Sequence, residues 1–134
     1  MKYLLDTTVV SDFARGLPPV LGRLKSTLRS QVAISAVSAM EIEYGLQLNT
    51  ARARKLEPII HDLLDDITVL PYEEKDALAT AAIRAALVKR GTPIGPYDIM
   101  IAGTAVRHGL VMVSSNRGEF ERIDGLLLED WRDP

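Results

Sequence analysis

Strand-like runs of apolar residues alternate along this chain with longer stretches whose apolar positions recur at helical spacing. Short apolar runs suit strands buried on both faces, and the longer periodic stretches suit amphipathic helices. Strands are expected at Lys2 to Leu5, Val32 to Ile34, Ile67 to Leu70, Leu110 to Val113 and, more briefly, Leu126 to Leu128. Helices are expected from about Thr8 to Ala14, from Pro18 and Pro19 to about Leu28, from about Ala36 to Leu48 and from about Ala51 to Leu64. An alanine-rich helix from Glu73 to Arg90 is stopped by Gly91 and Pro93, and Pro96 opens another that ends at His108 before Gly109. Strands that alternate with helices imply a parallel sheet covered on both faces. The expected fold class is therefore α/β, a three-layer α/β/α sandwich with a short central parallel sheet. The sequence shows no repeat, linker or low-complexity tract, so residues 1–134 are expected to form a single domain.

Acids interrupt this pattern at places where an acid is costly. Asp6 follows Tyr3-Leu4-Leu5, at the C-terminal end of the first strand, where open α/β sheets collect their ligands. It is equally a good helix cap. Glu41 lies in Ser35-Ala36-Val37-Ser38-Ala39-Met40-Glu41-Ile42-Glu43-Tyr44. If that helix starts just after Ser35, Glu41 shares a face with Val37, Tyr44 and Leu48. A carboxylate on an apolar stripe is unfavourable unless something positive meets it there. Ser38-x-x-Glu41 also matches a capping box, which needs the helix to start three residues later. Asp98 follows Gly95-Pro96-Tyr97, where a helix dipole favours an acid, yet it shares its face with Ile101, Ala102 and Ala105. After the fourth strand, Ser114-Ser115-Asn116-Arg117-Gly118-Glu119-Phe120 brings polar groups to the same sheet edge as Asp6. Asn116-x-x-Glu119 also reads as a cap pair.

Composition narrows the chemistry. There is no cysteine and there are two histidines, His61 and His108. Disulfides, zinc–thiolate sites and cysteine nucleophiles are excluded, and a serine triad is hard to build. A metal here would be a hard ion on oxygen ligands, Mg²⁺ or Mn²⁺. An acid cup of this kind would hold one or two such ions and activate a water for in-line attack on a phosphodiester, leaving a 5′-phosphate and a 3′-hydroxyl. A net charge of −2 runs against a nucleic-acid binder. The charge is uneven, however. Arg15, Arg23, Lys25 and Arg29 form one basic stretch and Arg52, Arg54 and Lys55 another, with an acidic block from Asp62 to Asp76 behind them. All of these runs also read as solvated helix faces. No apolar run reaches the length of a membrane span, and Met1 to Asp6 breaks too soon for a signal peptide, so a cytoplasmic protein is expected.

Four segments, Leu4-Leu5-Asp6-Thr7, Ser35 to Glu41, Pro96-Tyr97-Asp98-Ile99-Met100-Ile101-Ala102 and Ser114 to Phe120, occur in the order seen in PIN-domain proteins, which the chain resembles over nearly its whole length. Its tail, Ile123-Asp124-Gly125-Leu126 and then Glu129-Asp130-Trp131, is similar to the enteric-type VapC toxins. The resemblance implies a metal-dependent endoribonuclease of a toxin–antitoxin pair. Asp6, Glu41 and Asp98 would be its acidic metal ligands, Asn116 a fourth polar site residue and Glu119 a helper. It further implies a homodimer, a cognate VapB-like antitoxin whose tail fills the active-site groove, and structured RNA, the anticodon region of a tRNA, as substrate. Arg15, Arg23, Lys25 and Arg29 are the candidate RNA contacts. The family usually places Asn after Asp-Thr, where this chain has Thr8 with one donor instead of an amide's two. Ser114 and Ser115 stand where Thr and Asn or Asp are common. Two other readings stay open. One is a PIN-like module that holds RNA or protein without cutting, which Thr8 keeps alive. The other is a haloacid-dehalogenase-type phosphatase, whose second Asp would fall where Thr8 stands. No Gly-x-Gly-x-x-Gly follows the first strand, which argues against a dinucleotide site.

Overall fold

The computed structural model describes residues 1–133. Five strands, β1 (Tyr3–Leu5), β2 (Val32–Ser35), β3 (Thr68–Leu70), β4 (Val111–Val113) and β5 (Leu127–Glu129), form one sheet in the order β3-β2-β1-β4-β5. Every neighbouring pair is parallel. The helices are α1 (Thr7–Ala14), α2 (Pro18–Lys25), α3 (Ala36–Gln47), α4 (Ala51–Asp66), α5 (Glu74–Lys89), α6 (Pro96–His108) and the short α7 (Arg117–Phe120). The chain winds outward from β1 through β2 to β3, then returns to build β4 and β5 on the other side. Strand order therefore reverses beside β1, and the crevice at the C-terminal ends of β1, β2 and β4 is where such sheets place their sites.

Alternation along the strands sorts the core into two layers. Tyr3, Leu5, Val32, Ile34 and Val113 face α1, α2 and α4 through Val10, Val20, Leu24, Ile60 and Leu63. Leu4, Ala33 and Met112 face the other way, onto Ile83 and Leu87 of α5, Ile101, Ala102 and Ala105 of α6, and Phe120. The three-layer α/β/α sandwich with a short parallel sheet is the architecture expected from the sequence. Boundaries differ by a residue or so at most ends, and more at two places. The second helix stops at Lys25 rather than Leu28, because the hydroxyls of Ser26 and Thr27 fold back onto the Arg23 carbonyl, and a 3₁₀ turn follows at Arg29–Gln31. Helix α7 was not anticipated, being too short to carry a period.

Two contacts fix the layers. At Gly103, a Cβ would stand 2.0 Å from Thr80 Oγ1 and 3.1 Å from the Thr80 Cα, so only glycine lets α6 lie this close to α5. Thr80 cannot swing away freely, since its hydroxyl donates to the Asp76 carbonyl and accepts from Tyr72. Below it Asp76, sealed from solvent, takes Arg107 at 2.6 Å and the Glu73 backbone N–H at 2.8 Å. Part of the acidic block is thus a buried ion pair and not a solvated face.

On the other layer, fully buried Asp12 of α1 is gripped by Arg132 through Nε at 2.6 Å and Nη2 at 2.7 Å, and by Arg15 at 2.6 Å. Burial alone would raise the Asp12 carboxyl; the two guanidiniums outweigh it and hold the pKa below the usual carboxylate range. Next to this clamp, Trp131 packs edge-on against Tyr3 at 5.2 Å, with the Arg23 guanidinium 5.0 Å from the Trp131 ring.

Replacing Gly103 with Ala should cost about 2 kcal/mol by overpacking, read as a lower urea midpoint with unchanged slope. Gly22→Ala, inside α2 where a Cβ would meet nothing within 4 Å, is the control and should raise the midpoint, since alanine favours a helix interior over glycine. Arg132→Ala should also destabilise by about 2 kcal/mol, because it strips one of two counter-charges from a buried carboxylate; equal stability with and without the guanidinium would refute the clamp.

Candidate active site

Asp6 is the first residue past β1, and its backbone N–H still bonds to the Val113 carbonyl at 3.0 Å. Its carboxylate has three jobs. Oδ1 accepts the Val9 N–H at 3.0 Å and so caps α1, and it accepts the Thr8 hydroxyl at 2.9 Å. Oδ2 accepts the Ser114 hydroxyl at 2.5 Å. The helix-cap reading of Asp6 is thus observed, and capping leaves its carboxylate at the strand end, so the two readings from the sequence do not exclude each other. Burial pushes the Asp6 pKa up more than Ser114, Thr8 and the α1 amides pull it down.

Glu41 reaches the same edge from α3. Ser35 caps that helix by accepting the Ser38 N–H at 3.0 Å, so the helix starts at Ala36 and the alternative start at Ser38 is ruled out. Thr7 donates to Glu41 Oε1 at 2.8 Å. The expected apolar stripe needs correction, however. Val37 is buried, but Tyr44 and Leu48 are 65% and 60% exposed, so the face of α3 carrying Glu41 leaves the core after one turn.

Asp98 lies half-buried in the first turn of α6, with Ile101, Ala102 and Ala105 of its face wholly inside. Its pKa is pushed up to about 6, first by burial and then by the negative charges of Glu119, Glu41 and Asp6. The repulsion identifies the acids that surround it. Asn116 is exposed, and its amide donates to Glu119 Oε2 at 3.1 Å while its backbone N–H donates to the Ser114 hydroxyl at 3.0 Å. A line of hydrogen bonds therefore runs from Asn116 through Ser114 to Asp6.

The hydroxyls that hold the acids were not anticipated: Thr7 positions Glu41 and Ser114 positions Asp6, while Glu119, expected as a helper, stands as a fourth acid. A signal for Ser114 exists in the register, since Leu5 pairs with Val113 and the next residues on each strand are Asp6 and Ser114. Among the described residues, no three acids or histidines already converge as a ready metal cage. The donor set is nonetheless all oxygen, negatively charged and partly unsatisfied, which suits a hard cation that keeps several of its waters. Beside Glu41 and Thr7 opens a cleft of about 200 Å³ between α1, α3 and α4, with Arg52 on its wall. Most bases proposed as RNA contacts are already engaged. Arg15 holds Asp12, Arg23 holds Glu129 and Tyr3, and Arg29 holds the Leu24 carbonyl, which leaves Lys25 without a partner among the described residues.

Residues 3–126 match the PIN-domain family model, and the chain belongs to that family. Within it the chain stands with the VapC ribonucleases. It is 38% identical over 98% of both chains to the tRNA(fMet)-specific endonuclease VapC of Salmonella typhimurium. It is 35% identical, over 98% of both chains, to Ribonuclease VapC2 of Haemophilus influenzae. The DNA-bound VapBC complex of Salmonella typhimurium contains a chain that superposes with a TM-score of 0.88, at 36% identity over 98% of each chain. No helix among the described residues is long and apolar enough to cross a membrane.

The raised pKa of Asp98 has a definite sign. Its proton is held more tightly in the folded protein, so the charge penalty is absent below about pH 4 and complete above about pH 6. Ion-free Asp98→Asn should therefore melt a few degrees above the parent near neutral pH, about 1 kcal/mol after allowing for partial exposure. The gain should vanish near pH 4. A stability gain that ignores pH would mean the acids do not repel one another.

Proposed function

We propose that this chain is a Mg²⁺- or Mn²⁺-dependent endoribonuclease toxin that cuts structured RNA in the anticodon region of a tRNA. It would act in the cytoplasm as a homodimer, restrained by a VapB-like antitoxin. The observation that carries the chemistry is the approach of Asp6, Glu41 and Glu119 to Asp98 at one edge of the sheet, where burial first and then their negative charges push the Asp98 pKa up to about 6. The substrate class is supported by the relative named as a tRNA(fMet)-specific endonuclease, and the antitoxin by the VapBC complex. For a homodimer, α5 offers an outer face on which Leu78 and Val88 lie exposed among alanines.

Asp6, Glu41 and Asp98 would hold the ion, and the Asn116 amide would orient groups at the rim. When bound, the ion would neutralise phosphate charge and make a water acidic enough to attack. The chain's own residues supply position. Ser114 and Thr8 fix both oxygens of Asp6, and Thr7 fixes one oxygen of Glu41. Thr8 thus does the orienting that the customary Asn would do, with its single donor already committed. That favours a cutting enzyme over a non-catalytic module. A phosphatase using Asp6 as nucleophile would give Glu41 no task.

Purified, antitoxin-free protein incubated with total bacterial RNA should yield discrete fragments with Mg²⁺ or Mn²⁺ and none with EDTA. Asp6→Asn and Asp98→Asn should each lower cleavage by about 100-fold or more with the fold retained. Metal-independent cleavage, or full activity in either variant, would overturn the assignment.

A further inference from the structure

The chain has seven aromatic side chains, and their placement is uneven. Tyr3, Phe120 and Trp131 are buried, while Phe13 and Tyr72 are partly covered. The hydroxyls of Tyr3 and Tyr72 are hydrogen-bonded, to Arg23 and Thr80. Only Tyr44 and Tyr97 are exposed, at 65% and 49%, and neither hydroxyl has a partner among the described residues. Both sit beside a candidate site acid. Tyr97 immediately precedes Asp98 in the first turn of α6, and Tyr44 follows Glu41 by one helical turn on α3, a helix that packs against α6.

We propose that Tyr97 and Tyr44 are substrate-positioning residues that stack on unpaired RNA bases flanking the cut phosphodiester. This rests on the nuclease reading above. Scattered exposed apolar side chains need no explanation, but here every exposed aromatic adjoins an acid of the cup. A phosphate seated among the acids brings its neighbouring nucleosides to these rings. A base stacks on a tyrosine only when splayed out of a helix, so the rings select loops over duplex. Stacking also answers a problem of affinity. The cup is acidic, and Arg15, Arg23 and Arg132 are tied to carboxylates of the protein, which leaves Arg52 on the cleft wall, so phosphate contacts alone give a weak grip.

The test compares Tyr97→Ala, Tyr44→Ala and Tyr97→Phe with the parent on a hairpin RNA carrying the cut sequence in its loop. Each alanine variant should raise KM on the order of tenfold and leave kcat nearly unchanged, while Tyr97→Phe behaves as the parent. Separately, the fluorescence of Tyr97→Trp in EDTA should be quenched by a mixed-sequence single-stranded RNA and not by the same sequence as duplex. An unchanged KM in Tyr97→Ala, or equal quenching by duplex, overturns the proposal. So does an altered sedimentation coefficient in the alanine variants, which would place the rings between copies of the chain. Failure of the parent to cut any RNA would count against the nuclease reading, while the quenching in EDTA still decides whether bases stack at Tyr97.

Discussion

One buried carboxylate ties together the parts on which everything else rests. Asp6 ends the central strand, caps the helix that leaves it, and takes the serine that begins the segment after the neighbouring strand. Its backbone still belongs to the sheet while its side chain already belongs to the crevice. The buried acid is tolerated because three donors converge on it, two from α1 and one from the segment after β4. The geometry of the crevice is therefore inherited from the register of β1 against β4. A slip of one residue in that pairing would turn the acid to the other face of the sheet and separate it from Ser114.

The rest of the electrostatics follows from tying many of the arginines to carboxylates elsewhere in the fold. Arg15 and Arg132 are committed to Asp12, Arg23 to Glu129, and Arg107 to Asp76. The acids at the strand ends have no such partner; they have hydroxyls, from Thr7, Thr8 and Ser114. Hydroxyls orient an oxygen without neutralising it. The crevice thus keeps its negative potential, which an arginine would have quenched, and stays receptive to a cation arriving from solvent.

Much of this was legible in the sequence because the relevant signals are local. The strands are short apolar runs, and Asp6 and Asp98 betray themselves by standing at a strand end and in a helix's first turn beside buried neighbours. What was hidden is what the chain brings together from afar. Thr7 and Glu41 are 34 residues apart and Ser114 and Asp6 are 108 apart, and no periodicity reports such meetings. Glu41 shows the opposite failure. Helical spacing linked it to Tyr44 and Leu48, but spacing says which residues share a face and not whether that face is covered. Arg15 and Arg23 read as free bases for the same reason, since their carboxylate and aromatic partners lie on other elements or fold back within the turn.

The Asp12 clamp bears on how the molecule comes into being. Asp12 is made early, yet Arg132, its bidentate partner, is added 120 residues later. Until then the first helix carries an acid destined for the interior with only Arg15 to balance it. The helix that hangs from Asp6 thus gains its final seat only after all five strands of the sheet have been made. The seating of α1, and with it the Asp6 edge of the crevice, is thereby coupled to a residue that lies beyond the last strand of the sheet.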